Sequence, residues 1–394
     1  MARAAFPPGV ALLIAAGRLS LDPSKRASPV SAAPEDWQAS ATAAERHGMS
    51  AWLSAAMRHW PDAPQIVRDE ADAAARAHAV RALQGVAQLS VVVTLLRDAG
   101  VDAVALKGPL FSHWLYGDLG LRRFADLDLL VERKDRARAL EVLGPAGYHV
   151  AGGLSNTAAA VIYAGVGAWP LAHADGFPLD LHWRPQAARF GSPLDSAEVL
   201  RDGVVSPLAG RAVRMASPTH AATLTLLHAA KHLWTSLELV LSIAHLMRRD
   251  DVDWPRVRAL TVKADAWSGA AAGLFLAGEI FECDLPAPLR AVPRPRTVSR
   301  LHGAAREFLS MADVADAPRL AEFRAHCAIL DTRRSRLRYA AWRLFAPTPL
   351  ESAWCRLPDR LAALYVPVRL VRLLLVVARG VVSAVVGTRR SAGQ

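Results

Sequence analysis

The 394-residue sequence has few cysteines, which limits the classes of protein to which it can belong. Its three cysteines, Cys283, Cys327 and Cys355, are odd in number and far apart. No Cys-x-x-Cys pair and no Cys/His spacing suited to zinc occurs. A disulfide framework and a structural zinc site are therefore not expected, and a reducing, cytoplasmic compartment fits best.

Lysine is also scarce. Of the 47 basic residues, five are lysines: Lys25, Lys107, Lys134, Lys231 and Lys263. The formal net charge of +11 still favours anionic partners such as nucleotides, nucleic acid or acidic lipid. Basic and aromatic residues are nowhere densely interleaved, so the sequence carries no strong nucleic-acid signature.

An uninterrupted apolar run long enough to cross a bilayer is missing. Residues 361–386 are strongly apolar, but Arg369, Arg372 and Arg379 interrupt them. Each arginine costs about 2.5–3.5 kcal/mol at the bilayer centre, so no transmembrane span is expected. The run predicts a terminal helix packed on the protein, with contact to a membrane surface as the alternative. The shorter run at residues 10–16 lacks a clear cleavage site and predicts a helix rather than a signal peptide.

Two aspartates alternate with apolar residues in the segment 124–131. If this segment is a strand, Asp126 and Asp128 lie on the same face. Two neighbouring carboxylates repel each other and are costly to desolvate, unless a divalent cation lies between them. Oxygen ligands favour Mg²⁺ or Mn²⁺. The alternative is that Asp126 forms an ion pair with Arg122 or Arg123.

A third carboxylate follows in a predicted hairpin. Residues 168–173 and 177–183 flank the turn signal Ala174-Asp175-Gly176, and Asp180 and His182 share a face of the second strand. Three inward carboxylates on neighbouring strands form a cradle for two metal ions, as phosphoryl and nucleotidyl transfer require. The alternative for Asp180 is that it only caps a turn.

The remaining pattern predicts a small sheet between two helical regions. Strands are expected at 101–106, 124–131 and 148–150, and helices at 109–116 and 134–143. Residues 8–97, 219–247, 255–285 and 299–346 are expected to be helical. The predicted division is an N-terminal helical region at 1–97, a core at 98–190 and a C-terminal helical region at 191–394.

Several motifs together resemble the nucleotidyltransferase-family proteins of bacteria, a largely uncharacterised family of the polymerase-β-like nucleotidyltransferase superfamily. The likeness covers roughly residues 8–260. Its main motifs are the segments 105–108, 115–118, 121–131, 147–148, 179–183, 227–234 and 252–254. The resemblance implies an α+β protein whose polymerase-β-like core, a small mixed sheet with helices, is flanked by helical segments.

The resemblance also implies an activity and its residues. The expected reaction is Mg²⁺-dependent transfer of a nucleoside monophosphate from an NTP, such as ATP, to an unknown acceptor, with release of pyrophosphate. The implied catalytic and metal-binding residues are Asp126, Asp128 and Asp180. The implied nucleotide-binding residues are Lys107, Gly108 and Arg122. Pro109 stands where the superfamily usually has serine, which gives Lys107 more weight in phosphate binding.

Other functions stay open at this point. The departure at Pro109 is compatible with a catalytically inactive protein that binds nucleotide or acts as a scaffold, and the C-terminal run with a peripheral membrane protein. His228 and His232 share one helix face and either line the cleft opposite the carboxylates or belong to the core. The residues between them are Ala-Ala-Lys, which excludes the zinc-protease motif.

Overall fold

The computed structural model describes residues 6–24, 32–191, 194–208, 210–311 and 319–376. Residues 377–386 of the predicted C-terminal helix lie outside this part of the chain.

Four helices form the N-terminal part: α1 (Pro8–Leu21), α2 (Pro34–His47), α3 (Ser50–Met57) and α4 (Gln65–Asp98). Helix α2 begins with proline, and the Asp36 carboxylate accepts a hydrogen bond from the Ala33 N–H just before the helix. It ends at Gly48, whose φ of 69° is in the left-handed region. Helices α1 and α2 pack so closely at Gly9 that a Cβ at this position would lie 2.8 Å from the Ala39 backbone.

Seven strands of the described chain form one mixed sheet. They are β1 (Ala103–Ala105), β2 (Leu127–Val131), β3 (His149–Val150), β4 (Ala168–Ala172), β5 (Leu179–His182), β6 (Val204–Leu208) and β7 (Arg211–Met215). Their order is β3-β4-β5-β2-β1-β7-β6. Strand β2 pairs with β5 in parallel and with β1 antiparallel, and β1 pairs with β7 in parallel. The predicted α+β class and the antiparallel β4–β5 hairpin are confirmed.

Four helices accompany these strands: α5 (Pro109–Tyr116), α6 (Arg136–Leu143), α7 (Asn156–Ile162) and α8 (Ser196–Arg201). Six helices follow: α9 (Pro218–Lys231), α10 (Leu237–Met247), α11 (Trp254–Lys263), α12 (Trp267–Phe281), α13 (Ala287–Arg290) and α14 (Val298–Ser310). The described chain closes with α15 (Arg319–Ala328), α16 (Arg333–Phe345), α17 (Pro349–Trp354), a 3-10 helix (Asp359–Leu364) and a helix at 365–376, termed α18.

The two faces of the sheet belong to different hydrophobic clusters. Leu127 and Leu129 pack in a cluster with residues of α4, α6 and α7. Leu130 points to the other face and packs in a larger cluster, which joins the N-terminal helices to the helices after residue 218. The sheet itself continues past residue 190 through β6 and β7, a hairpin that the sequence pattern did not predict. The division into three regions stays a prediction.

The helical stretch predicted at 219–247 is two helices rather than one. Helix α9 ends at Lys231, and Leu233 and Trp234 both have a φ of 52°. Two consecutive left-handed residues cannot continue an α-helix, so the chain turns here before α10 begins. The indole of Trp234 is buried at this turn.

Among the described residues, one helix is long and apolar enough to cross a membrane by length and composition alone. This is the 34-residue α4, whose most apolar 18-residue window has a mean hydropathy of 1.6. A share of 33% of that window is buried inside the protein. A single helix of this kind is weak evidence for a span, because core helices pass the same test.

Candidate active site

Parallel pairing of β2 with β5 brings the predicted carboxylates together. Asp128 lies directly opposite Asp180 in the register of these strands. Asp126 precedes β2 by one residue, and His182 ends β5. Because side chains alternate along a strand, Asp128, Asp180 and His182 face the same side of the sheet. The strand predicted at 124–131 therefore begins only at Leu127, and Asp126 lies at the edge of the sheet.

Three of these side chains are close enough to share a metal ion. One ligand atom each from Asp128, Asp180 and His182 lies within 4.8 Å of the other two. Asp126 is not a member of this group, but it lines the same cleft. The cleft has a volume of about 360 Å³ and is also lined by Lys107, Gly108 and Arg122. The structure thus brings all six residues predicted from the sequence to one cleft.

Asp128 is the best paired of the three aspartates. It is buried, and its Oδ1 lies 2.9 Å from His182 Nε2 and 3.4 Å from Lys107 Nζ. Burial alone would raise the pKa of Asp128. The opposing effect of Lys107, His182 and Arg122 is larger, so the net pKa is below the ordinary value. Asp128 is therefore ionised at neutral pH.

Asp126 and Asp180 are in the opposite situation. In the described part of the chain, neither forms an ion pair or a hydrogen bond through its carboxylate. Burial raises the pKa of both groups, and repulsion from Asp128 raises it further. The ion pair of Asp126 with an arginine, considered as the alternative, is not formed, because Arg122 binds Glu238 and Arg123 binds Glu45. Two unpaired carboxylates beside a third are a donor set of hard oxygen atoms that fits Mg²⁺ or Mn²⁺.

Gly108 begins α5 beside the carboxylates. Its φ of 81° and ψ of −150° are rarely accessible to other residues, and Pro109 follows as the first residue of the helix. The nearest atom to a Cβ at this position would be Leu127 Cδ2, 4.0 Å away. Backbone conformation rather than crowding therefore requires glycine here. Lys107 and Gly108, the two residues before α5, line the cleft.

Arg122 is held in the wall of the cleft by a carboxylate that sequence analysis missed. Its Nε lies 3.0 Å from Glu238 Oε1, and both side chains are buried. The guanidinium carbon lies 5.3 Å from the centre of the Phe111 ring. Across the described residues, no hydrogen bond engages its Nη groups. The Nη groups are therefore available to an anion in the cleft.

Glu238 is held in turn by a buried hydroxyl pair. Ser242 Oγ donates to Glu238 Oε1 at 2.9 Å, and Tyr116 OH lies 2.7 Å from Ser242 Oγ. Since the serine has one proton and gives it to Glu238, the tyrosine donates to the serine. Burial and Glu238 raise the pKa of Tyr116, so its proton is retained. Each member of this hydrogen-bond network therefore has a partner, and the network fixes the position of Arg122.

Helix α9 supplies the wall opposite the sheet. His228, Lys231 and His232 all line the cleft, as one of the two interpretations of the histidine pair predicts. The Lys231 ammonium is half-buried and forms no ion pair within the described ranges. Burial and the charge of Lys107 lower its pKa to about 8. Burial also lowers the pKa of His228, and the charge of Lys107 lowers it by a smaller amount. This imidazole is therefore neutral.

The signals for these additional residues differ in strength. Lys231 was visible in the sequence as one of five lysines and as part of the motif at 227–234. Glu238 had no local signal, because it lies 116 residues from Arg122 and its role depends on how α10 packs.

Comparison with known proteins gives a structural neighbour and a family. No curated protein matches the sequence. The crystal structure of an antigenic nucleotidyltransferase-like protein from Paracoccidioides brasiliensis is 16% identical and covers 48% of this chain and 92% of its own. Its TM-score is 0.28, and at that value the likeness supports no conclusion about this chain.

The family match covers residues 33–282, more than half of the chain, and its description is uncharacterised nucleotidyltransferase. The matched region contains the carboxylates of β2 and β5, the start of α5 and the wall formed by α9. The chain that carries this cleft thus belongs to the family of uncharacterised nucleotidyltransferases, which are transferases.

Proposed function

We propose that the protein transfers a nucleoside monophosphate from an NTP to an acceptor, with Mg²⁺ as cofactor and pyrophosphate as the second product. The observation that supports this most is the register of β2 and β5, which sets Asp128 opposite Asp180 with Asp126 beside them. Two of these carboxylates have no protein partner among the described residues, and their raised pKa values reflect burial and mutual repulsion. A divalent cation relieves that repulsion.

Asp126, Asp128 and Asp180 would hold the cation. When bound, Mg²⁺ would neutralise charge on the phosphates and on the attacking oxygen of the acceptor. His182 and Lys107 hold the carboxylate of Asp128 in place through Oδ1. Mn²⁺ would fit the same oxygen donors.

The triphosphate would lie between α5 and Arg122. Lys107, Gly108 and Arg122 line the cleft, and the Nη groups of Arg122 and the N–H groups at the start of α5 would donate to the phosphates. Pro109 supplies no N–H, so one donor fewer is available than with serine at this position. Phe190, Leu224 and Leu227 form an apolar part of the wall, where a base or the acceptor would pack. The acceptor itself stays unassigned.

A second candidate function is nucleotide binding without catalysis, which Pro109 favours.

Calorimetry with a non-hydrolysable ATP analogue, with and without Mg²⁺, measures binding, and pyrophosphate release over a panel of acceptors measures turnover. We expect Mg²⁺-dependent binding that Asp126→Asn, Asp128→Asn and Asp180→Asn each abolish. Asp250→Asn, an exposed carboxylate outside the cleft, is the matched control. Wild-type protein that binds no nucleotide contradicts both candidates, and binding without turnover on any acceptor supports the second.

We also propose a cytoplasmic location. All three cysteines are free thiols, and Cys355 is exposed, as a reducing compartment permits.

A further inference from the structure

Large apolar side chains are exposed mainly at the C-terminal end of the described chain. Of the twenty such residues on the described surface, twelve lie between residues 337 and 376. They belong to α16, α17, the 3-10 helix and α18. We call this region, residues 333–376, the C-terminal face. Exposed apolar side chains gathered in one stretch of a chain point to an interaction site.

Helix α18 turns its apolar side to the solvent. Pro367, Leu370, Val371 and Leu374 follow the spacing i, i+3, i+4, i+7 and form one stripe along the helix. Leu374 is 70% exposed and Val371 50% exposed. A surface helix of a globular protein normally turns its charged residues to the solvent and its apolar residues to the core. Here the arrangement is reversed, because Arg369 is 7% exposed.

A buried ion pair fixes this reversed orientation. Arg369 Nη1 lies 3.2 Å from Glu351 Oε1, and its Nη2 donates to the Arg343 carbonyl at 2.9 Å. Arg372 Nε also binds Glu351 Oε1. Glu351 is fully buried, and its other oxygen accepts from Thr348. If α18 rolled to bury its apolar stripe, these contacts would break and leave a buried carboxylate unpaired, which is strongly unfavourable.

The segment that carries the stripe has a positive net charge. Residues 333–376 contain nine arginines and two acidic residues, Glu351 and Asp359. Glu351 is used in the internal ion pairs, and Asp359 accepts a hydrogen bond from Ser155. Arg356 and Arg360 are exposed and form no ion pair with any described residue. The exposed indole of Trp354 lies on the neighbouring α17, and tryptophan is a residue that favours the interface between lipid and water.

We propose that the C-terminal face binds the surface of an anionic membrane. The stripe of α18 enters the boundary between headgroups and acyl chains, and the arginines bind lipid phosphates. A second copy of this chain is a poorer partner, because it would bring the same surplus of arginines against this one. The binding concerns a surface remote from the carboxylates in sequence and does not depend on the proposed reaction.

The test uses the full-length protein and vesicles sedimented in buffer of low ionic strength. One set of vesicles is phosphatidylcholine alone, and the other contains about one third phosphatidylglycerol. We expect the protein to sediment with the anionic vesicles at least tenfold more strongly than with the neutral ones, and salt to weaken binding. Equal binding to both sets, or binding to neither, overturns the proposal.

Two double variants separate the apolar and the electrostatic contributions. Val371→Asn with Leu374→Asn, which leave the charge unchanged, should weaken binding to anionic vesicles at least tenfold, whereas Val205→Asn, at a similarly exposed position on β6, should not. Arg356→Glu with Arg360→Glu should also weaken it, with the exposed Arg58→Glu as control. Circular dichroism checks that each variant is folded. A dimer in solution that the Val371/Leu374 variant abolishes, without vesicle binding by the wild type, would assign the face to a second copy and overturn the lipid proposal.

Discussion

Asparagine at position 126 and at position 128 should change the stability of the metal-free protein in opposite directions. Both substitutions remove one carboxylate from the same cleft. Asp126 has no partner among the described residues and is repelled by Asp128 and Asp180. Asp128 instead accepts from His182 at 2.9 Å and lies 3.4 Å from the Lys107 ammonium. The first carboxylate therefore costs stability, and the second contributes it.

The magnitude follows from the distance and the burial. At an effective dielectric constant of about 20, opposite charges about 3.4 Å apart attract by roughly 5 kcal/mol before desolvation is subtracted. Desolvation of Asp128 offsets much of this, and an asparagine amide in its place can still accept a hydrogen bond. We therefore expect Asp128→Asn to destabilise by about 1–3 kcal/mol. Relief of repulsion by Asp126→Asn should be smaller, about 1 kcal/mol or less in the stabilising direction.

The assay is urea unfolding in EDTA, with thermal unfolding as the second measurement. We expect a lower unfolding midpoint for Asp128→Asn and an unchanged or higher one for Asp126→Asn. Added Mg²⁺ with a non-hydrolysable NTP should stabilise the wild type and neither variant. A lower midpoint for Asp126→Asn in EDTA would refute this assignment, because it would mean that Asp126 has a stabilising partner. Asp250→Asn should leave the midpoint unchanged.

The pH dependence gives an independent check on Asp126. Its pKa in the folded protein is raised above the unfolded value, so its contribution to stability is present below the ordinary carboxyl pKa and is lost as the pH rises through the raised value. Between these two values, acidification should therefore stabilise the wild type more than Asp126→Asn. Equal pH profiles for the two proteins would contradict the raised pKa.

Three further predictions concern the remaining walls of the cleft. Glu238→Gln should weaken binding of Mg²⁺ with an ATP analogue about tenfold, because Arg122 loses its buried ion-pair partner. Calorimetry measures this affinity. The control is Glu351→Gln, which removes a carboxylate from a buried ion pair outside the cleft. Lys231 has a pKa of about 8, so wild-type affinity for the analogue should fall as the pH rises through 8. Lys231→Met should flatten that dependence, and Lys263→Met should not. Gly108→Ala should destabilise by about 1–2 kcal/mol because its φ of 81° disfavours a side chain, whereas Gly303→Ala within α14 should be neutral or stabilising, as urea unfolding would show.

Local rules of the chain were enough to predict many elements of this fold. Proline at position 109 begins a helix that ends at Tyr116, as predicted, and Gly117 follows with a φ of 71°. Alternation of apolar and polar residues predicted the strand that carries Asp128 and the hairpin that carries Asp180. These signals depend on residues only a few positions apart, so they can be recognised without knowing how the rest of the chain packs.

Contacts between distant segments could not be predicted in the same way. The parallel pairing that sets Asp128 opposite Asp180 joins residues 52 positions apart, and the spacing of either strand alone does not specify it. Where β2 begins, and so the position of Asp126 at the sheet edge, also depends on this pairing. The break between α9 and α10 was missed because Leu233 and Trp234 adopt the left-handed conformation without a glycine to signal it.

The sequence by itself determined the residue types of the cleft: one aspartate on each of two strands and a third just before β2, a lysine and a glycine before α5, and an arginine in the segment before β2. Tertiary structure decided which carboxylate is paired, because Lys107 and His182 reach Asp128 alone. It also decided that Glu238 holds Arg122 and that α18 turns its apolar stripe outward. The physical reason is the same in each case: burial and charge pairing depend on which distant segments pack together, and local sequence patterns carry no information on that packing.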